Sequence, residues 1–564
     1  MSSNKEENLS DKLLNRRQFM HATAIVAGGG LLAACGGSEP TKLTQITAVP
    51  TMPPTAATAT VSAMVGKTYF PSGNTDLVPD AFTAPLPLTQ SVHFVPGRGG
   101  SVSVFNLTNN PPVRAKGQNK FWQELEKRLN VTWNVTLAPG SDVYKEKIST
   151  LLASGDLPDL VRVETSVAPV LLQALQEGAF VDLSSYLTGS ALNDYPNLAR
   201  LVPRAAWNNI KVNGILYGVP RVSSWPGAVL IYRRDWAQKV GIPNPKDPDE
   251  FFELLKAFTF GDPNGNGKND TWGSAFSKVI DMQSFMTMFG VPTLWRKNAD
   301  GSFTYYIETD EYRQGLDYVR RVYAAGLFYP DSVSQTNLQQ KENFFAGKYG
   351  MYTAGFPEIV LARQHCRSVD PKADPAVLTP PAAPGRKTNV WWGTAYSGYV
   401  AIPSAVKDSE RVKELLRILD YLAAPQFSYE GNFLTFGIDG QDNSTQNGLK
   451  IINQTGLNEL GDLATIMKPS DIYYVPQEPS LAPQMQDWAR SITSHGGPRP
   501  SLGLSSSTEN KIASRLNAMI QDRVTRIMRG LDPLSALDTL ISDWRKQGGD
   551  QIAKEYSEAA QKQH

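Results

Sequence analysis

Val131-Thr132-Trp133-Asn134-Val135-Thr136-Leu137 alternates apolar and polar side chains without a break, the period of a strand with one face buried. Just before it, Phe121, Trp122, Leu125 and Leu129 fall on one face of a helical stretch, with Gln123, Glu124, Lys127 and Arg128 off that face. Upstream again, Ser101-Val102-Ser103-Val104-Phe105 repeats the strand period. Downstream, the pattern predicts a helix from about Ser141 to Ala153 that stops at Ser154-Gly155, and then a strand at Leu160-Val161-Arg162-Val163. A further helix is expected from Val170 to Glu177, ending at Gly178. Strand and helix alternate repeatedly, which places the chain in the α/β class with a mostly parallel sheet.

On the N-terminal side, Arg16-Arg17-Gln18-Phe19-Met20 leads into an apolar run from Ala22 to Ala34, closed by Leu32-Ala33-Ala34-Cys35. The run is too short to span a bilayer as a stable helix and follows a basic start. It resembles a bacterial lipoprotein signal with a lipobox, in which small residues seat a signal peptidase and the Cys35 thiol carries a diacylglycerol thioether. The paired arginines are also similar to a twin-arginine signal, which exports folded chains, with Asn15 in place of the usual Ser or Thr and His21 in place of Lys. These resemblances imply a signal peptide over residues 1–34 and an extracytoplasmic protein tethered by lipid to the bacterial cell membrane. From Ser38 to about Val65 the chain is mostly Thr, Ala and Pro, with almost nothing to bury, so 35–90 reads as the lipidated cysteine and a linker.

The remaining chain is far longer than one hydrophobic core usually serves, and two domains are expected. With 55 basic against 54 acidic residues there is no electrostatic footprint for nucleic acid or for an anionic membrane. Cys35 and Cys366 are the only cysteines, so lipidation of the first leaves no intramolecular disulfide. No later apolar run approaches the length of a membrane span.

Asn119-Lys120-Phe121 opening a helix, followed by Leu151-Leu152-Ala153-Ser154-Gly155-Asp156-Leu157-Pro158-Asp159-Leu160, resembles the first lobe of the family 1 extracellular solute-binding proteins of ABC sugar importers. Leu216-Tyr217-Gly218-Val219-Pro220, Tyr232-Arg233-Arg234-Asp235-Trp236, Phe345-Ala346-Gly347-Lys348-Tyr349-Gly350-Met351 and Trp392-Gly393 with Gly398-Tyr399-Val400-Ala401-Ile402-Pro403 continue the likeness in the same order. The resemblance implies a two-lobed periplasmic-binding-protein fold of type II-like form, with hinge strands and a ligand cleft between the lobes. It implies a first lobe over 91–215 with a returning segment near 345–415. The second lobe would take 216–344 and 416–564, ending in helices from Glu509 to Arg529 and from Asp532 to Gln547.

Asp262-Pro263-Asn264-Gly265-Asn266-Gly267-Lys268-Asn269-Asp270 carries oxygen side chains at loop positions 1, 3, 5 and 9 with glycine at 6, and the Lys268 carbonyl stands at 7. Such offsets let one tight turn aim several oxygens at a hard cation. Position 12 is Gly273, so the bidentate glutamate of a calcium hand is missing. The loop is similar to that of the long calcium-containing sugar binders, such as the alginate-oligosaccharide binding proteins. It implies structural calcium held by Asp262, Asn264, Asn266, Lys268 and Asp270. The alternative is a polar turn that uses Asp-Pro and Asn-Gly for backbone reasons alone.

A sugar offers apolar C–H faces and a rim of hydroxyls, so its receptors combine aromatic platforms with planar hydrogen-bonding groups. Trp225 follows the Tyr-Gly-Val-Pro segment where the chain is expected to pass between lobes, and Trp391, Trp392 and Tyr396 stand where it is expected to return. Arg162 and Glu164 end a strand, where open α/β sheets bind ligands, and Arg221 offers a planar fork. Each has a bland alternative: a tryptophan packs in cores, and Arg162 with Glu164 forms a simple ion pair.

The expected function is capture of an oligosaccharide or related carbohydrate, hinge closure, and delivery to ABC permease subunits in the membrane, by a monomer that makes no bonds. The competing classes are a secreted carbohydrate-active hydrolase or lyase and a sugar-sensing binding lipoprotein. An enzyme would need a positioned carboxylate pair or a Tyr/His or Arg constellation. Only five histidines occur, His21 lies in the signal and His564 is terminal, and no Gly-x-Ser-x-Gly motif is present.

Overall fold

Asn119 caps the first predicted helix: its side chain accepts from the Trp122 amide at 2.8 Å, Lys120–Leu129 follows, and the turn closes at Asn130 with φ 54°. The structure, a computed structural model, describes residues 66–562 except 75–76, 165–173, 176, 202, 213, 224–225, 276–278, 331, 447–448 and 469–471, and the side chains of 201, 279–281, 333 and 337. The expected signal, Cys35, the expected linker up to residue 65 and Trp225 therefore lie outside the described residues, as does most of the expected 170–177 helix, of which Ala174 and Leu175 are helical.

The two alternating stretches pair as parallel neighbours, Ser101–Thr108 on Thr132–Pro139, with Val102 opposite Trp133 and Val104 opposite Val135. The apolar members face the core, where Trp133, Leu125 and Leu129 are fully buried. The helix Gly140–Ser154 ends at Gly155 in the left-handed conformation and returns the chain to the strand Leu160–Glu164. Leu160–Glu164 joins the sheet beside Ser101–Thr108, and Tyr396–Ala401 then Val219–Val222 complete it. Tyr396–Ala401 runs against both its neighbours, so this five-stranded sheet is mostly parallel, as expected.

A second, four-stranded sheet has the order Pro375–Leu378, Ala228–Arg233, Tyr349–Gly355, Trp272–Ser274. It is mixed, since Ala228–Arg233 is antiparallel to both its neighbours. The expected return of 345–415 to the first lobe is thereby corrected: Tyr349–Gly355 and Pro375–Leu378 belong to the second sheet, and only Tyr396–Ala401 enters the first. The assignment of all of 416–564 to the second lobe is corrected as well. Leu416, Leu419, Phe433, Leu463 and Ile466 pack in the core of the first sheet, and the Trp133 indole donates to the Leu463 carbonyl at 2.9 Å. From Tyr473 onward the chain packs with the second sheet and with the helices Ser507–Met528, Ala536–Trp544 and Asp550–Gln561. Those bounds come from the family resemblance, and neither it nor apolar patterning says against which partner a segment packs.

The chain passes between the two cores at 222–228 and 391–396, and Pro226 pairs with Trp392 in a bridge that ties these passages together. Among the described residues no helix is long and apolar enough to cross a membrane.

Candidate functional site

Tyr396 and Tyr399 are three residues apart on one strand, so a regular pleat would send them to opposite faces. The register against Val219–Val222 shifts between them, and Gly398 in this irregularity has φ 147°, a conformation open to glycine. The result is that both tyrosines line one cavity of ≈410 Å³, within the range of about 300–1,000 Å³ usual for ligand sites. Gly218 makes room on the other side: a Cβ there would lie 2.4 Å from the Tyr399 ring.

One wall of the cavity comes from the first sheet and its flanks, including Glu164, Asn209 and the two tyrosines; the other comes from Arg499, the hydroxyl-rich loop Ser501–Ser506, Glu509 and Tyr556. Tyr396 and Tyr399 pack on the core of the first sheet, whereas Leu504 and Tyr556 pack on the large core of the second. The cavity thus lies between the two cores, where relative movement changes its width. Burial raises the hydroxyl pKa of Tyr396, Tyr399 and Tyr556, so all three stay neutral and can both donate and accept. Glu509 accepts from the Tyr556 hydroxyl, and its pKa is raised by burial.

Among the residues expected to meet ligand, Glu164 and Tyr396 line the cavity. Arg162 donates through Nε to Glu164 and through Nη1 to Asn106 Oδ1 at 3.1 Å and the Leu107 carbonyl at 3.3 Å, which fixes the carboxylate from behind. Arg221 is buried; it donates to the carbonyls of Ile466 at 2.8 Å and Thr465 at 3.0 Å and stands 3.8 Å from Glu164. Burial, then the Arg162 charge, lowers its pKa to about 10. Its fork is spent on holding the 465–466 loop to the sheet.

Trp391 packs, half-buried, against the second core, with its indole donating to the Val291 carbonyl at 3.1 Å and its ring edge-on to Tyr306. Trp392 packs on the first core at the crossing, close to Gly496. Neither tryptophan lines the cavity. Its aromatic surface is tyrosine, and Tyr556, Arg499 and Glu509 went unnoticed in the sequence because they arrive from a C-terminal segment with no local mark except the polar loop Ser501-Leu502-Gly503-Leu504-Ser505-Ser506.

A larger cavity of ≈710 Å³, bordered by Phe121, Arg221 and Leu434, lies against the first core alone. Its walls come from one core only, whereas the ≈410 Å³ cavity draws on two.

The Asp262–Asp270 loop folds on its own side chains. Asp262 accepts from the amides of Asn266 at 3.0 Å and Gly267 at 3.1 Å, and the Asn264 and Asn266 carboxamides donate to Asp270 at 3.1 Å. Those bonds, Asn264 first, hold the Asp270 carboxyl below its usual pKa. Half a turn of each carboxamide would present oxygen in place of nitrogen, so two carboxylates, two amide oxygens and the Lys268 carbonyl form a donor set suited to a hard cation. Gly273 is buried in a strand, with its amide donating to Thr259 at 2.9 Å, and supplies no further ligand. Among the described residues no group of three or more acidic, histidine or cysteine side chains is placed to hold a metal ion.

Residues 108–426 match the bacterial extracellular solute-binding protein family. The chain is 28% identical over 454 residues to the polygalacturonan/rhamnogalacturonan-binding protein YtcQ of Bacillus subtilis, covering 78% of this chain and 87% of that one. It is 27% identical to lipoprotein LipO of the same organism, over 80% of this chain and 90% of that one. An HMO-binding, ABC-transporter-associated solute-binding protein of Bifidobacterium longum infantis superposes with a TM-score of 0.61 at 17% identity, covering 82% of this chain and 98% of that one. The Streptococcus pneumoniae protein FusA, solved with kestose, gives 0.59 at 17% identity over 82% and 99%. At those identities the superpositions speak for the fold.

Proposed function

We infer, for a chain that belongs to the bacterial extracellular solute-binding proteins, that it captures an oligosaccharide in the cavity between its two cores and presents it to the permease of an ABC importer. The observation that carries this reading is the composition of that cavity: three neutral tyrosines and a run of serine hydroxyls, drawn from two cores joined by the paired crossings at Pro226 and Trp392. Rings of this kind suit C–H faces, and hydroxyls suit a sugar's rim. Ligand that touches both walls binds the closed form better than the open one and shifts the population by that difference. The named ligands of YtcQ and FusA, both carbohydrates, support the substrate class. The lipobox and the LipO likeness support tethering through Cys35, and the paired arginines support twin-arginine export. The protein acts as a monomer and leaves the solute intact.

Calorimetric titration of the mature chain, carrying Cys35→Ser so that no lipid is attached, against neutral and acidic oligosaccharides tests the reading. Saturable binding with unchanged ligand is expected; chain cleavage in the product analysis, or no binding across the panel, sinks it.

The same inference gives the Asp262–Asp270 loop structural calcium. Chelation should then lower the unfolding temperature by about 2–4 °C, reversibly on adding calcium and to no effect in Asp270→Asn. Identical melting with and without chelator would leave the loop as a polar turn.

A further inference from the structure

The charged groups around the cavity are almost all committed. Glu164 is held by Arg162 with Arg221 behind it, Glu509 accepts from Tyr556, and Glu555 accepts from Ser506 at 2.6 Å and from Thr508 at 2.7 Å. Lys211 donates to Asn208 at 3.3 Å. Arg499 differs: it lines the cavity half-buried, and among the described residues its guanidinium makes no hydrogen bond and no ion pair. Its charge is nevertheless felt there, since it pulls down the pKa of Tyr396, Glu509 and Tyr556 against the burial that raises all three.

The backbone holds this arginine in readiness. Pro498 and Pro500 flank it and fix φ on either side. Two residues upstream, Gly496–Gly497 pairs with Val390–Trp391 at the crossing between the cores. A guanidinium on a stiffened segment loses little freedom when it binds, and its planar fork matches a carboxylate through two parallel N–H···O bonds. Leaving it unpaired in a closed, partly desolvated cavity would cost free energy unless the solute supplies the acid.

We propose that Arg499 reads a carboxylate on the solute, so that the cavity selects a uronate-bearing oligosaccharide over a neutral one. The proposal rests on the solute-binding reading above and narrows its substrate class. Selection follows from the pairing: a neutral sugar satisfies the hydroxyls and stacks on the tyrosines but leaves the guanidinium dry and unmatched. Lys211, also on the cavity lining, adds attraction at longer range, so binding should weaken as salt is raised.

Titration of the wild-type chain with trigalacturonate and with its fully methyl-esterified form provides the test, alongside Arg499→Ala and Arg499→Lys. A charge-assisted pair of this kind is worth about ten- to a hundredfold in affinity. Wild type is expected to prefer the acid by that factor. Arg499→Ala should lose the preference, its affinity for the acid falling at least tenfold further than that for the ester, with its melting temperature kept, and Arg499→Lys should keep part of the preference. Equal affinity of wild type for acid and ester overturns the proposal, as does equal loss of both ligands in Arg499→Ala. Binding of neutral oligosaccharides but neither galacturonate probe also overturns it while leaving the solute-binding reading intact; binding of no carbohydrate at all removes both.

Discussion

Gly398→Ala is expected to abolish measurable solute binding and to lower the unfolding temperature. The residue has φ 147° within the strand Tyr396–Ala401, and an added Cβ would stand 2.3 Å from the Val163 carbonyl oxygen of the neighbouring strand. Backbone strain at such a φ costs on the order of 1–3 kcal/mol, and forcing an atom into a packed contact costs about as much again. Relief requires the strand to move off Leu160–Glu164 or to lose its irregularity. Either change turns one of Tyr396 and Tyr399 out of the cavity, because their shared face exists only through the register shift between them. Affinity should therefore drop by well over tenfold. Gly117→Ala is the control: nothing lies within 4 Å of the place an added Cβ would take there, and its φ is ordinary, so binding and melting should be unchanged. Wild-type affinity in Gly398→Ala would mean that the irregular register does not set the tyrosines.

The second large effect is on stability and its dependence on pH. Asp420 is fully buried at the start of the helix Pro196–Leu201, where its Oδ1 accepts from the amides of Asn197 at 2.8 Å and Leu198 at 3.0 Å. Its Oδ2 is buried with no partner among the described residues. Burial raises the carboxyl pKa to about 7 against the pull of those two amides. The folded protein thus keeps the proton up to about pH 7, while the unfolded chain releases it near 3.8. Between those values the folded state binds more protons at Asp420, so this group's contribution to stability is greatest below about pH 4 and falls as pH rises to about 7. At about 1.4 kcal/mol per pH unit, the loss over that window is about 4 kcal/mol. Asp420→Asn keeps the acceptor for the two amides and cannot ionise. Urea unfolding of the two chains from pH 5 to 8 should show wild type losing stability relative to the variant as pH rises. Parallel curves would mean that Asp420 titrates alike in both states.

The α/β class, the parallel opening of the first sheet and the capped helix at Asn119 were legible in the sequence, because period and caps are local properties that survive any packing. The same holds for the order of motifs from Asn119 to Pro403 that marks the family. Of the candidate site, Glu164 and Tyr396 were within reach: one ends a predicted strand, the other follows a tryptophan pair where the chain was expected to return. Trp391 and Trp392, half-buried at the crossing, pack against the second and the first core and do not line that cavity.

By itself, then, the sequence determined the α/β class, the opening strands and helices of the first sheet, and which loop carries calcium-like spacing. Only the tertiary structure decided that 349–378 joins the second sheet, that 416–467 covers the first, and that Tyr396, Tyr399, Arg499 and Tyr556 share one cavity. The physical reason is range. Hydrophobic period is written into consecutive residues, whereas strand partnership, a one-residue register shift at Gly398 and the arrival of a distant polar loop depend on contacts between segments far apart in the chain.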